Sequence, residues 1–120
     1  MAIKEIRAWR VYDRPFPEGY RVLAERLWPR GLRKVDLALD HWAKDLAPTT
    51  ELRQWFKHDP ARWLEFRKRY LEELRGHREA AMALLTQAKG DTLLLLYAAH
   101  DEQHNGAMVL AEFLRALTVP

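Results

Sequence analysis

Thr92-Leu93-Leu94-Leu95-Leu96-Tyr97-Ala98 is the stretch on which the fold turns. It is short, continuously apolar and bounded by turn signals, with Gly90 before it and the polar run His100-Asp101-Glu102 after it. A strand with one wet face alternates apolar and polar residues, whereas a strand covered on both faces reads as an unbroken apolar run. A helical pattern ending at Gly90 feeds directly into it. The segment is therefore expected to be the central strand of a parallel sheet.

The elements upstream fit that frame. Lys4 to Tyr12 mixes Ile6, Trp9, Val11 and Tyr12 with charges, a β-branched and aromatic content that favours a strand. Asp13-Arg14-Pro15-Phe16-Pro17-Glu18-Gly19 reads as a loop. Tyr20 to Ala24 is a second strand, although Tyr20, Leu23 and Leu27 also fit one helix face. Pro29 and Gly31 end it. Residues 34–48 are ambiguous between a short helix and an extended segment. Thr49 or Thr50 offers an N-cap oxygen to a short helix carrying Leu52, Trp55 and Phe56. Asp59-Pro60 is a second helix start, a capping carboxylate before a first-turn proline. Trp63, Phe66, Tyr70 and Leu74 then form one stripe through about four turns, stopped by Gly76. A further helix covers roughly Arg78 to Ala88, and a last one runs from near His104 or Asn105 to about Leu117. Strand, strand, helices, strand, helix is the order of a small α/β domain. We expect a mainly parallel sheet of three or four strands packed with four or five helices, in a single domain over residues 1–120.

Composition bounds the function. The 120 residues include 48% apolar and 31% charged side chains, a globular balance. Twenty Lys+Arg against seventeen Asp+Glu give a net charge of +3, mild for a dedicated nucleic-acid binder. There is no cysteine, which excludes a disulfide framework, a thiolate metal site and a cysteine nucleophile. No apolar run approaches the roughly 20 residues that span a bilayer, and Met1-Ala2-Ile3-Lys4-Glu5-Ile6-Arg7 lacks the apolar core of a signal peptide. The expectation is a soluble cytoplasmic protein with no membrane partner.

Two clusters can carry chemistry. His100-Asp101-Glu102-Gln103-His104-Asn105-Gly106 lies where the central strand meets the last helix, and ligands of open α/β sheets bind beyond the carboxyl ends of strands. His104 is the candidate proton-transfer group, since imidazole titrates near neutrality; Asn105 is the candidate to orient it or a ligand. The competing reading is a helix cap with solvated charges around it. His100 and His104 are four apart, but that spacing aligns metal ligands on a helix and here spans a loop, so no metal site is expected. The second cluster is Glu25-Arg26-Leu27-Trp28-Pro29-Arg30-Gly31. Arg26 and Arg30 present planar forks suited to phosphate or carboxylate, and Trp28 can stack on a planar group. Alternatively Trp28 fills the core edge and Arg26 pairs with Asp13 or Glu25. Tyr97 and Asp13 are expected to line the same pocket. His58 is either a hinge residue between helices or a third contributor.

Arg10-Val11-Tyr12-Asp13, Tyr20-Arg21-Val22-Leu23, Arg26-Leu27-Trp28-Pro29-Arg30-Gly31, Leu52-Arg53-Gln54-Trp55-Phe56, His58-Asp59-Pro60 and Asp101-Glu102-Gln103-His104-Asn105 together resemble the YeaO-like bacterial proteins, a family of unknown function. The likeness covers nearly the whole chain, with the Arg-Leu-Trp-Pro-Arg-Gly run its most specific part. It implies a small single-domain bacterial cytoplasmic protein and no particular reaction or cofactor.

The leading expectation is a domain that binds, or acts on, a small anionic ligand such as a nucleotide or phosphorylated metabolite. The alternatives are nucleic-acid binding through Arg21, Arg26, Arg30, Arg33, Lys34 and Trp28, and a structural or protein-interaction module. The first requires the Trp–Arg turn and the His–Asn turn to meet in one hollow.

Overall fold

A computed structural model describes residues 3–118. Its elements in chain order are β1 (Glu5–Arg10), β2 (Tyr20–Leu23), α1 (Lys34–Leu37), β3 (His41–Trp42), α2 (Thr50–Phe56), α3 (Trp63–Arg75), α4 (Arg78–Gln87), β4 (Thr92–Tyr97) and α5 (Gly106–Thr118), with single 3-10 turns at Lys44–Leu46 and Pro60–Arg62. The sheet is wholly parallel in the order β1-β4-β2-β3. β4 is central, with Leu95 opposite Ala8 on one side and Val22 on the other. This is the α/β architecture expected from the sequence.

Burial follows from the two-residue period of the strand. Leu93, Leu95 and Tyr97 face the layer built from α2, α3, α4 and α5, together with Ile6, Val22, Phe66, Tyr70 and Leu110. Leu94 and Leu96 face the other way, onto Val11, Leu23 and Leu37, with Phe16, Trp28 and Trp42 around them. That second face is covered by the connections 11–19 and 24–40 instead of long helices. Nine residues return the chain from the end of β1 to the start of β2, a span of up to about 30 Å when extended. The molecule is accordingly flat, 37 × 36 × 20 Å.

Residues 34–48 resolve into three short pieces: one helical turn, a two-residue strand beside β2, and a 3-10 turn. Each is held by tertiary contact. Arg21 Nη1 donates to the Leu37 carbonyl at 3.0 Å, and the Ala43 amide donates to the Leu23 carbonyl at 3.0 Å. The caps form as expected at two starts. The Thr49 hydroxyl accepts the Leu52 amide, and Asp59 Oδ1 accepts the Ala61 amide. One end differs: α4 stops at Gln87 with Ala88 extended, and Gly90, at φ 87°, belongs to the turn into β4.

If β4 carries the core, Leu95→Ala should cost about 2–5 kcal/mol in urea unfolding. Leu64→Ala, at a side chain 78% exposed on α3, should stay within about 0.5 kcal/mol. Equal losses at the two positions would contradict this layering.

Candidate functional site

The carboxyl ends of β2 and β4 open toward the start of α5. After β2, the Ala24 amide still pairs with the Leu96 carbonyl, and Trp42 Nε1 donates to the Glu25 carbonyl at 2.6 Å. The chain then turns, and Arg26 reaches across to the segment before α2. Its Nε donates to the Pro48 carbonyl at 3.0 Å and its Nη2 to the Ala47 carbonyl at 3.3 Å. Glu73 from α3 secures that segment by accepting the Thr49 amide and hydroxyl at 3.0 and 2.7 Å.

After β4, Asp101 organises a tight turn. Its Oδ1 accepts the amides of Gln103 and His104, and its Oδ2 lies 2.9 Å from His104 Nδ1. The Gln103 amide bond, then the His104 side chain, hold the Asp101 carboxyl below the usual carboxylate range. The His104 ring stands edge-on to Trp63, centroids 5.2 Å apart. Asn105 is 2% exposed. Its Nδ2 donates to the Asp101 carbonyl, and its Oδ1 accepts the Met108 amide in the first turn of α5. Both ends of the Asn105 amide are thus engaged, the oxygen in capping α5 and the nitrogen in closing the turn before it.

Glu25, Arg26, Arg53, His58, Phe66 and Asn105 wall a narrow cavity of about 40 Å³ between these turns. Burial pushes the Glu25 carboxyl up to about 7, against the Ala98 amide and the Arg53 charge, which favour ionisation. Arg53 Nε is buried and is the one such side-chain nitrogen or oxygen without a hydrogen-bond partner among the described residues. Buried donors are almost always paired, because an unpaired one forfeits its bond to water. His58 sits at the rim with φ 54°, following Lys57 at φ 49°. Two consecutive left-handed residues, neither of them glycine, are uncommon and mark a constrained corner.

Arg26 and Asn105 meet at this cavity. His104 lies beside Asn105, turned toward Asp101 and Trp63. Tyr97 and Asp13 line a separate hollow of about 260 Å³ with Trp9, Arg10 and Glu102. Burial, then the Glu102 charge, raise the Tyr97 hydroxyl above its ordinary value. Trp28 is on the loop-covered face, donating Nε1 to the Leu32 carbonyl at 2.6 Å and meeting Trp42 edge to face at 5.4 Å. Arg30 is exposed, and its carbonyl accepts the Tyr12 hydroxyl. Glu25 and Arg53 are the cavity's polar groups that the sequence did not single out as ligand contacts. The available signal for Arg53 was its place between Leu52 and Phe56 on the inward side of a short helix. Among the described residues, no three His, Asp or Glu side chains gather as a metal site would require.

The Glu25 environment has a signed consequence for stability. Between pH 4.5 and about 7 the folded chain keeps a proton that the unfolded chain releases, so stability falls as pH rises through that window. Glu25→Gln removes this dependence. Its unfolding free energy relative to the parent should match near pH 4.5 and exceed it by about 3 kcal/mol at pH 8. A difference that does not change with pH would show Glu25 to be solvated.

The model of a family described as the inactive DUF488-N3 subclade matches residues 5–118. The chain is 46% identical over 113 residues to the uncharacterized protein YeaO of Escherichia coli strain K12, covering 93% of this chain and 98% of that protein. It is 42% identical over 111 residues to the uncharacterized protein Rv3073c of Mycobacterium tuberculosis strain H37Rv, covering 91% and 92% respectively. No solved structure matches it. By the extent of these matches, this chain belongs to the inactive DUF488-N3 subclade and is a YeaO-like protein.

Proposed function

We infer that this domain binds the anionic head group of a small ligand, a phosphate or similar oxyanion, in the cavity between Arg26 and Arg53. The unpaired, buried Arg53 Nε carries the reading: an oxyanion oxygen is the acceptor it lacks. Arg26 uses two N–H donors on backbone carbonyls and has three of its five left. Size narrows the ligand. A cavity of about 40 Å³ holds roughly three waters, far below the roughly 300–1,000 Å³ of sites that enclose a whole drug-sized ligand. A nucleotide or sugar phosphate would insert only its phosphate and leave the remainder at the rim near His58.

Glu25 fits such a site in its protonated form. A neutral carboxyl can donate to an oxyanion, whereas an ionised one repels it and competes for Arg53. The chain contains neither cysteine nor serine as a nucleophile, and the family description names an inactive subclade; both favour binding over catalysis. For nucleic acid, the one exposed ring among the described Phe, Trp and Tyr residues is Tyr12, and Arg10 already covers it at 4.8 Å.

Isothermal titration with sulfate, which does not itself titrate near neutrality, tests this. Affinity should fall roughly tenfold from pH 6 to pH 8 as the Glu25 proton leaves. Arg53→Met should abolish binding, and Glu25→Gln should bind with no pH dependence. No saturable binding of sulfate or phosphate at pH 6 would overturn the proposal.

A further inference from the structure

The net charge of the chain has a location. Residues 7–46 hold nine Lys/Arg and six Asp/Glu, while residues 47–118 hold ten of each. The whole excess of +3 therefore arises in the segment that includes the connections covering the second face of the sheet. Within it, residues 27–35, the loop after β2 and the first residues of α1, leave two of their three cations unneutralised. Asp36 is shared between Arg33 at 3.3 Å and Arg14 at 3.4 Å. Arg30 and Lys34 have no acidic partner among the described residues.

The same loop displays apolar surface. Five large apolar side chains are exposed among the described residues; two are in this loop, Leu27 at 60% and Val35 at 71%, and a third, Tyr12, lies against it through the bond of its hydroxyl to the Arg30 carbonyl. The display is rigid. Trp28 ties to the Leu32 carbonyl, its ring wedges against Trp42, and the Arg33 amide bonds Asp36 Oδ2 at 2.7 Å. A loop held this firmly loses little conformational freedom on binding.

We propose that the 27–35 loop is a docking surface for an acidic protein segment, with Leu27 and Val35 as apolar anchors and Arg30 and Lys34 selecting its charge. Charge complementarity is the argument for this partner: surplus cations around aliphatic groups match alternating carboxylates and apolar side chains. Nucleic acid is less well served, since single strands are held by aromatic rings on which bases stack, and the anchors here are aliphatic. The surface is independent of the Arg26–Arg53 cavity and does not rest on anion binding there.

Selection of a random linear peptide library on the immobilised full chain tests it. The expected survivors combine Asp or Glu with aliphatic residues and shift the amide resonances of Tyr12 and of residues 27–35 other than Pro29. The double substitution Arg30→Glu with Lys34→Glu should weaken them about tenfold or more. Its melting temperature should stay within about 3 °C of the parent, because both positions are exposed, and its sulfate binding should be unchanged. The proposal is overturned by a selection that returns nothing, by survivors without acidic residues, by shifts mapping elsewhere, by unchanged affinity in the double variant, or by a single-stranded oligonucleotide binding this loop more tightly than any peptide.

Discussion

β4 is buried on both faces, and that double burial dictates where polar chemistry can sit. Leu93 to Leu96 are fully enclosed, and the backbone of β4 is paired on both sides by β1 and β2. No position from Leu93 to Leu96 can carry a polar side chain without orphaning it. The first positions free of that restriction are just past the strand ends, where Glu25, Ala99 and Asn105 come together. The helix layer closes over this point from α2 and α3. A small, largely apolar cavity carrying a few polar groups is the result.

Two opposing effects act inside it. Burial drives Glu25 toward the neutral acid, while Arg53 and the Ala98 amide draw it toward the carboxylate, and burial is the larger. Arg53 Nε gains no bond from Glu25 and stays unpaired. Neither feature helps the fold, because a buried donor without an acceptor and a desolvated acid both cost stability. The neighbouring turn is built to the opposite standard. Asp101, His104 and Asn105 satisfy one another and the start of α5. Local departures from full pairing are expected at functional positions in otherwise consistent structures, and this contrast is what distinguishes the cavity from the turn beside it.

Much of the fold was legible because its signals are local and periodic. The leucine run reads as a doubly covered strand, and the Trp63–Leu74 stripe reads as a helix face, whatever surrounds them. Residues 34–48 were not legible, since a four-residue helix, a two-residue strand and a three-residue turn are each too short to repeat the period that would reveal them. The site divides in the same way. Arg26 and Asn105 were marked by unusual local composition at strand ends. Trp28 and Arg30 share that composition with Arg26, yet the indole bulk is taken up by Trp42 on the far face, which separates neighbours in sequence. Arg53 carries only a weak signal, its place between Leu52 and Phe56, and it is the fold that sets it on a cavity also lined by Pro48, Phe66 and Ala99.

The most direct test of this account is the titration of Glu25 itself, followed through its side-chain carboxyl carbon by NMR with and without saturating sulfate. The account requires a midpoint near 7 in the free protein and a higher one with sulfate bound, because anion and ionised carboxylate exclude each other. A midpoint at the ordinary value of 4.5, unmoved by sulfate, would show a solvated carboxylate and no shared site.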